Sequence, residues 1–139
     1  MTHPEPLAGA MPVLVVMSDL LFRSKIDEVA RRLGLPLRAA KSLEQLDRQL
    51  AAAPPSIAFI DLEADSFDPG AAIRRIIETV PGTRIMGFAG HSNVAAIRLG
   101  RDAGASDVLA RSAFTDRLPQ VLQSVLQAEQ DRIAATPTP

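Results

Sequence analysis

The 139-residue chain has no cysteine, tryptophan or tyrosine, and its only aromatic side chains are five phenylalanines. Without thiols there are no disulfides, no thiolate nucleophile and no Cys-ligated zinc. That composition suits a reducing compartment, so a cytoplasmic protein is expected. With so few rings, the core has to come mainly from Ala, Val, Ile and Leu. An excess of charge is also missing: 15 Lys and Arg stand against 16 Asp and Glu. A net charge of −1 gives no electrostatic footprint for a nucleic-acid backbone, and no nucleic-acid partner is expected. Long hydrophobic runs are absent as well. Pro12 to Met17 is far too short to span a bilayer, and Met1 to Ala10 has neither the basic region nor the apolar stretch of a signal peptide, so no membrane partner is expected. There is no internal repeat. Gly100 to Gly104 lacks the strand-Gly-x-Gly-x-x-Gly-helix context of a phosphate loop. His91 reads as an exposed loop residue, because no nucleophile, base and orienting group can be assembled around it.

What is present is ordinary for a globular chain: 47% hydrophobic and 22% charged residues, at a length that suits one domain and is too short for two. Residues 1–11 read as a flexible N-terminal segment, 12–128 as the domain and 129–139 as a disordered C-terminal tail. Val13-Leu14-Val15-Val16 is a β-branched run and a first strand. Ser18 or Asp19 can cap a helix whose inner face is Phe22, Ile26, Val29, Ala30 and Leu33 and which Gly34 ends. Arg23, Lys25, Arg31 and Arg32 are its solvated side. Leu35 to Ala40 is a weak strand, with Pro36 arguing for its first residue or an edge position. Ser42 and Gln45 form a capping-box signature ahead of Leu43, Leu46 and Leu50. Asp68-Pro69 opens a third helix with Ile73, Ile76, Ile77 and Val80 on its buried stripe. Arg84 to Ala89 is a fourth strand. Ser92 or Asn93 caps a fourth helix that Gly104 closes, and Ser106 to Ala110 is a fifth strand. A last helix buries Leu118, Val121, Leu122, Val125 and Leu126, with Pro119 tolerable in its first turn.

The organising stretch is Ile57-Ala58-Phe59-Ile60-Asp61-Leu62. A short apolar run behind Pro54-Pro55 reads as a strand buried on both faces, in the middle of a parallel sheet. Five strands alternating with five helices and joined by right-handed crossovers give a three-layer, doubly wound α/β sandwich. Binding groups in such sheets lie just beyond the carboxyl ends of the strands, and Asp61 stands at one of these ends. Glu63, Asp65 and Asp68 are not spaced as an EF-hand and read as a loop and a cap.

The order of motifs resembles the receiver domain of bacterial two-component response regulators over roughly Val13 to Leu126. The resemblance lies in Val13-Leu14-Val15-Val16, in Ile60-Asp61-Leu62 with Asp68 beyond it, in Phe88-Ala89-Gly90-His91, and most specifically in Ala103-Gly104-Ala105-Ser106-Asp107-Val108-Leu109-Ala110-Arg111. It implies a flavodoxin-like (βα)5 fold with a five-stranded parallel sheet in the order 2-1-3-4-5. It makes Asp61 the phospho-acceptor position and Arg111 the position of the phosphoryl-binding lysine. Ala89 and Val108 then occupy the switch positions, Met17 and Ser18 the two acidic positions, and Ser112 the usual proline.

These departures bear on chemistry. Receivers are understood to neutralise the phosphoryl group with Mg²⁺, a lysine and a hydroxyl, through positioning and electrostatics. Met17 offers no hard oxygen and Ser18 only a neutral one, which leaves Asp19, Asp61 and the Glu63 carbonyl as a residual metal site. No cofactor is expected, beyond weak Mg²⁺ at that residual site. A lone Asp61 facing Arg111 should stay ionised, and the guanidinium fork can grip both carboxylate oxygens. Removing either partner would then cost about 3–5 kcal/mol. Three roles stay open for Asp61: a phosphosite, a fixed partner of Arg111, or a solvated acid at a strand end.

The expectation is a stand-alone degenerate receiver, not an enzyme, that binds a signalling or localisation protein without normal Mg²⁺-dependent phosphorylation. Its working surface, and a homodimer contact, would be the fourth helix, fifth strand and fifth helix, through Arg98, Arg101, Asp102, Asp116, Arg117, Gln120 and Gln127. One alternative is a working phospho-accepting regulator that uses Asp61. Another is a small flavodoxin-like enzyme or nucleotide binder.

Overall fold

In the computed structural model, which describes residues 4–136, the elements alternate strictly. They are β1 (Val13–Val16), α1 (Leu20–Arg32), β2 (Leu37–Ala40), α2 (Leu43–Ala52), β3 (Ile57–Asp61), α3 (Pro69–Thr79), β4 (Ile85–Ala89), α4 (Val94–Ala103), β5 (Asp107–Ala110) and α5 (Arg111–Ala135). The sheet is wholly parallel in the order β2-β1-β3-β4-β5. This is the architecture expected from the flavodoxin-like receiver pattern. Every residue of β1, β3 and β4 is buried, as strands covered on both faces must be.

The period of two along each strand divides the core. Val13, Val15, Phe59 and Phe88 face one layer with Phe22, Ile26, Phe114, Leu118 and Leu122 from α1 and α5. Leu14, Val16, Ala58 and Ile60 face the other with Leu46, Leu50, Ile73, Ile76 and Ala96. The caps follow the sequence signals. Asp19, Ser42, Asp68 and Asn93 each accept a backbone N–H from the first turn of their helix. Gly104, at φ 107°, closes α4 in the left-handed region. Among the described residues no helix is long and apolar enough to cross a membrane.

Several local expectations are corrected. Ile77, expected on the buried stripe of α3, is 38% exposed. The inward arc of α3 is already filled by Gly70, Ala72, Ile73 and Ile76. The last helix starts at Arg111, directly after β5, so Pro119 lies inside it and not in its first turn. Its ring removes the N–H that would serve the Thr115 carbonyl; both residues are exposed, where water can replace the bond.

The two ends of the domain differ most from expectation. Residues 129–135, expected to be a disordered tail, are helical, and residues 4–11 of the expected flexible segment are pinned against them and against α1; residues 1–3 and 137–139 lie outside the described residues. The pin is Glu129, whose residue surface is only 6% exposed. Its Oε1 accepts the Met11 N–H at 2.6 Å, and Arg132 donates to both carboxylate oxygens at 2.9 and 3.2 Å. Arg132 also donates to the Gly9 carbonyl at 2.6 Å, and the Leu7 N–H donates to the Gly34 carbonyl at 2.8 Å. Contacts 118 and 123 residues apart leave no local sequence pattern.

Burial alone would raise the Glu129 carboxyl, but the Arg132 hydrogen bonds, the Met11 amide and the Arg132 charge outweigh it and hold it below its ordinary 4.5. Glu129→Ala should cost about 1–3 kcal/mol, because it strands the Met11 N–H, and a denaturant titration at neutral pH measures this. Since the folded carboxyl titrates low, the clamp's contribution is complete above pH 4.5 and is lost as pH falls through the folded value. The stability gap between wild type and Glu129→Ala should therefore close on acidification.

Candidate functional site

The carboxyl ends of β1, β3, β4 and β5 deliver one cluster. Asp61 is the last residue of β3, and its Oδ1 accepts the Glu63 N–H at 2.9 Å, which turns the chain out of the sheet. Glu63 then reaches across to the next loop: Oε1 accepts the Gly90 N–H at 2.7 Å and Oε2 the Asn93 side-chain amide at 2.9 Å. Asp19 follows β1, and its Oδ1 caps α1 through the Phe22 N–H at 3.0 Å. Arg111 leaves β5 as the first residue of α5.

The Arg111 guanidinium stands 3.6 Å from Asp61 Oδ1, 3.8 Å from Glu63 Oε1 and 3.9 Å from Asp19 Oδ2. Two aromatic rings support it, with the Phe22 centroid at 4.8 Å and the Phe88 centroid at 5.2 Å. These rings stack on one another; Phe88 also stacks on Phe114, which Phe22 meets at a tilt and Phe59 edge-on. Four of the five phenylalanines thus form the floor of the site. The bidentate fork expected between Arg111 and Asp61 does not form. Held against two rings, the guanidinium is shared among three carboxylates at ion-pair distances too long for hydrogen bonds.

Asp61 is therefore not the lone carboxylate expected. Burial pushes its carboxyl above the ordinary 3.8; the Glu63 amide and the Arg111 charge pull it down, and the Glu63 and Asp19 charges add to the rise. Glu63 moves the other way. The Asn93 amide, then the Gly90 amide, and the nearby Arg111 hold it below the ordinary 4.5.

Met17 is 1% exposed and points a thioether into the core, and Ser18 is exposed. Among the described residues no three acidic or histidine side chains are grouped to hold a metal ion. The donor set does not fit Mg²⁺, because a cation already stands between the oxygens that would ligate it. Ala89 is fully buried and offers no hydroxyl. Val108 is half-buried beside Leu62 and Gly100. Leu62 Cδ1 lies 2.8 Å from where a Cβ would stand at Gly87 or Gly100, so it fills the space between β4 and α4 that two glycines leave. Arg98, Arg101 and Asp102 on α4, and Asp116, Arg117, Gln120 and Gln127 on α5, are all exposed.

Sequence reasoning missed the aromatic floor, the Glu63 staple to Gly90 and Asn93, and the ion pair of Asp19. Phe22 read only as the inner face of a helix and Phe88 as part of a strand, Phe114 carried no reading, and nothing local in the sequence links Glu63 to a loop 27 residues away.

No family model matches the chain. It is 27% identical over 93 residues to the transcriptional activator protein ExaE of Pseudomonas putida, across 67% of this chain and 44% of that protein. The chain thus spans less than half the length of that relative. Among solved structures it resembles the receiver domain of NtrX from Brucella abortus, with TM-score 0.71 and 21% identity over 83% of this chain and 98% of that one. It also resembles a CheY-like response regulator receiver domain protein from Methanospirillum hungatei JF-1, with TM-score 0.73 and 12% identity over 89% and 99% of the two chains. These structural neighbours are receiver domains, and at such identities the likeness is one of fold.

A folded-state carboxyl that titrates high is most favourable below 3.8 and loses that advantage as pH rises through the folded value. At neutral pH the ionised Asp61 should therefore cost stability, contrary to the expectation that its removal is expensive. Asp61→Asn, which keeps an acceptor for the Glu63 N–H, should be at least as stable as wild type at neutral pH and lose that margin in acid. Arg111→Ala, which leaves three carboxylates facing one another, should destabilise. With Arg111 36% exposed, the cost should fall between the roughly 1 kcal/mol of a surface pair and the roughly 3 kcal/mol of a buried one. Paired denaturant titrations of the two variants check both signs.

Proposed function

We propose that this chain is a receiver-type signalling module that works by binding a protein partner, with its aspartate site held by a built-in arginine and not by Mg²⁺. One observation carries the reading: the Arg111 guanidinium within 3.6–3.9 Å of Asp61, Glu63 and Asp19. A guanidinium anchored over two rings gives the carboxylates a fixed counter-charge that does not leave with a phosphoryl group. The absence of a hydroxyl at Ala89 and the small, half-buried Val108 support the same reading. A switch that moves a donor toward new charge and draws an aromatic side chain inward has neither part here. The resemblance to receiver domains and to part of a transcriptional activator supports a place in two-component signalling, in the cytoplasm, with output through a partner. The exposed residues of α4 and α5 named above are the candidate contact surface. The module is not read as an enzyme, since no acid/base pair or nucleophile set accompanies Asp61.

The phospho-acceptor reading has one observation in its favour. Asp61 lies buried at the carboxyl end of β3, where burial raises its carboxyl above the ordinary 3.8, and such perturbed carboxyls cluster at functional sites. Incubation of the full chain with Mg²⁺ and a small-molecule phosphodonor, followed by intact-mass measurement, separates the two. No mass gain is expected for wild type. A gain that disappears in Asp61→Asn would establish phosphorylation and overturn the arginine-held reading. Arg111→Lys is the second arm: restoring the lysine that receivers carry at this position should not by itself produce a gain, because Met17 and Ser18 still supply no carboxylate.

A further inference from the structure

We infer that a cleft at the amino ends of β1, β3 and β4 binds a short apolar peptide with free termini, a di- or tripeptide with aliphatic side chains. The inference goes beyond the reading above and does not depend on the state of Asp61. Doubly wound sheets ordinarily bind their ligands beyond the carboxyl ends of the strands, where Asp61 stands. This cleft lies at the other end of the sheet and shares no residue with that site. It encloses about 580 Å³, within the roughly 300–1,000 Å³ typical of small-molecule sites, which suits a di- or tripeptide better than one amino acid.

The walls are apolar and stiff. Pro54 and Pro55 precede β3 and Pro81 precedes β4; each ring fixes its own φ, which holds the rim in one shape. With Met11, Val80 and Val125 they give the cleft its aliphatic surface. A site ordered before its ligand arrives loses little freedom on binding. Hydroxyls supply acceptors between the apolar walls. Ser56 Oγ donates to the Pro12 carbonyl at 3.1 Å and Ser124 Oγ to the Val121 carbonyl at 2.6 Å. Their hydrogens are thus committed, and both oxygens keep lone pairs for a ligand N–H.

Charge selects the ligand. One acid and one base line the cleft, Glu129 and Arg84, and the partner of each, Arg132 and Asp107, lies outside the lining. Glu129 Oε1 takes the Met11 N–H and one from Arg132, but Oε2 takes a single Arg132 N–H at 3.2 Å and has room for a second donor. Arg84 points Nε and Nη2 at one oxygen of Asp107, at 3.4 and 3.3 Å, and its Nη1 makes no hydrogen bond among the described residues. A simple cation would be repelled by Arg84 and a simple anion by Glu129. A zwitterion suits both. Its ammonium donates to Glu129 Oε2, its carboxylate accepts from Arg84, and its peptide N–H meets the serine oxygens.

An NMR titration of the full, ¹⁵N-labelled chain with the dipeptide Leu-Val tests the inference. Saturable amide shifts should appear and be confined to the cleft lining. N-acetyl-Leu-Val, which has no ammonium, and Leu-Val-amide, which has no carboxylate, should each bind about tenfold more weakly or worse. Ala128→Phe, at an exposed position on the cleft wall, should abolish binding with unchanged circular dichroism and melting temperature. In Arg84→Gln, Leu-Val and its amide should bind alike, because the group that tells them apart is gone. An absence of saturable shifts with Leu-Val would overturn the inference. So would shifts centred outside the cleft, a blocked peptide or free leucine that binds as tightly as Leu-Val, or binding that survives Ala128→Phe. Asp61→Asn should bind Leu-Val as wild type does, so this proposal and the reading of Asp61 fail separately.

Discussion

One guanidinium holds together the end of the sheet where the chain carries its chemistry. Arg111 is the first residue of α5, a position where the helix dipole disfavours a positive charge. It is kept there by three carboxylates from two loops and by the faces of Phe22 and Phe88. The arrangement couples the aromatic layer of the core to the carboxylate layer above it. Moving Arg111 would expose two rings and leave Asp61, Glu63 and Asp19 without their shared counter-charge. The site's neighbours add rigidity. Glu63 ties the loop after β3 to the loop after β4, and Leu62 sits in space that only glycine at positions 87 and 100 leaves open.

That rigidity is what the proposed reading of the chain as a binding module rests on. A switch needs two packings of similar free energy and a charge that biases one of them. At this site the counter-charge is covalently part of the chain, Ala89 is fully buried without a hydroxyl, and Val108 is half-buried. The remaining cost falls on Asp61, whose ionised form is tolerated in a buried place because Arg111 offsets part of the penalty. Stability is held in reserve elsewhere. At the other end of the sheet Glu129 and Arg132 fasten residues 9–11 to α5, so the first and last parts of the described chain brace each other.

Half of the site is legible in the sequence. Asp61 was legible from the apolar run that it ends, whereas its pairing with Arg111 was implied by the resemblance to receiver domains, which puts Arg111 at the position of the phosphoryl-binding lysine. Their geometry was not legible. A fork on one carboxylate and a guanidinium spread over three are both compatible with the same residues. The choice depends on where Phe22 and Phe88 place their rings and on how far Glu63 reaches. Asp19 was read as a cap and a displaced acid. It is a cap, and its second oxygen also faces Arg111, because one carboxylate can do both when α1 packs beside α5, which Arg111 opens.

Periodicity and punctuation were enough for the architecture. Runs of β-branched residues, helical stripes, capping residues and glycine stops record local preferences that tertiary packing here did not override, so the succession of elements and the helix caps could be read along the chain, while the strand order was implied by the resemblance to receiver domains. They could not show that Pro119 lies inside a long helix, that Ile77 faces out, or that residues 129–135 continue α5 and anchor residues 9–11. Each of these turns on contacts between parts of the chain far apart in sequence: the space left beside α3, the exposed side of α5, and a carboxylate meeting an amide 118 residues away. Local sequence encodes which elements form. Only the closed, packed chain fixes which of their side chains meet, because that depends on distances that no neighbouring residue records.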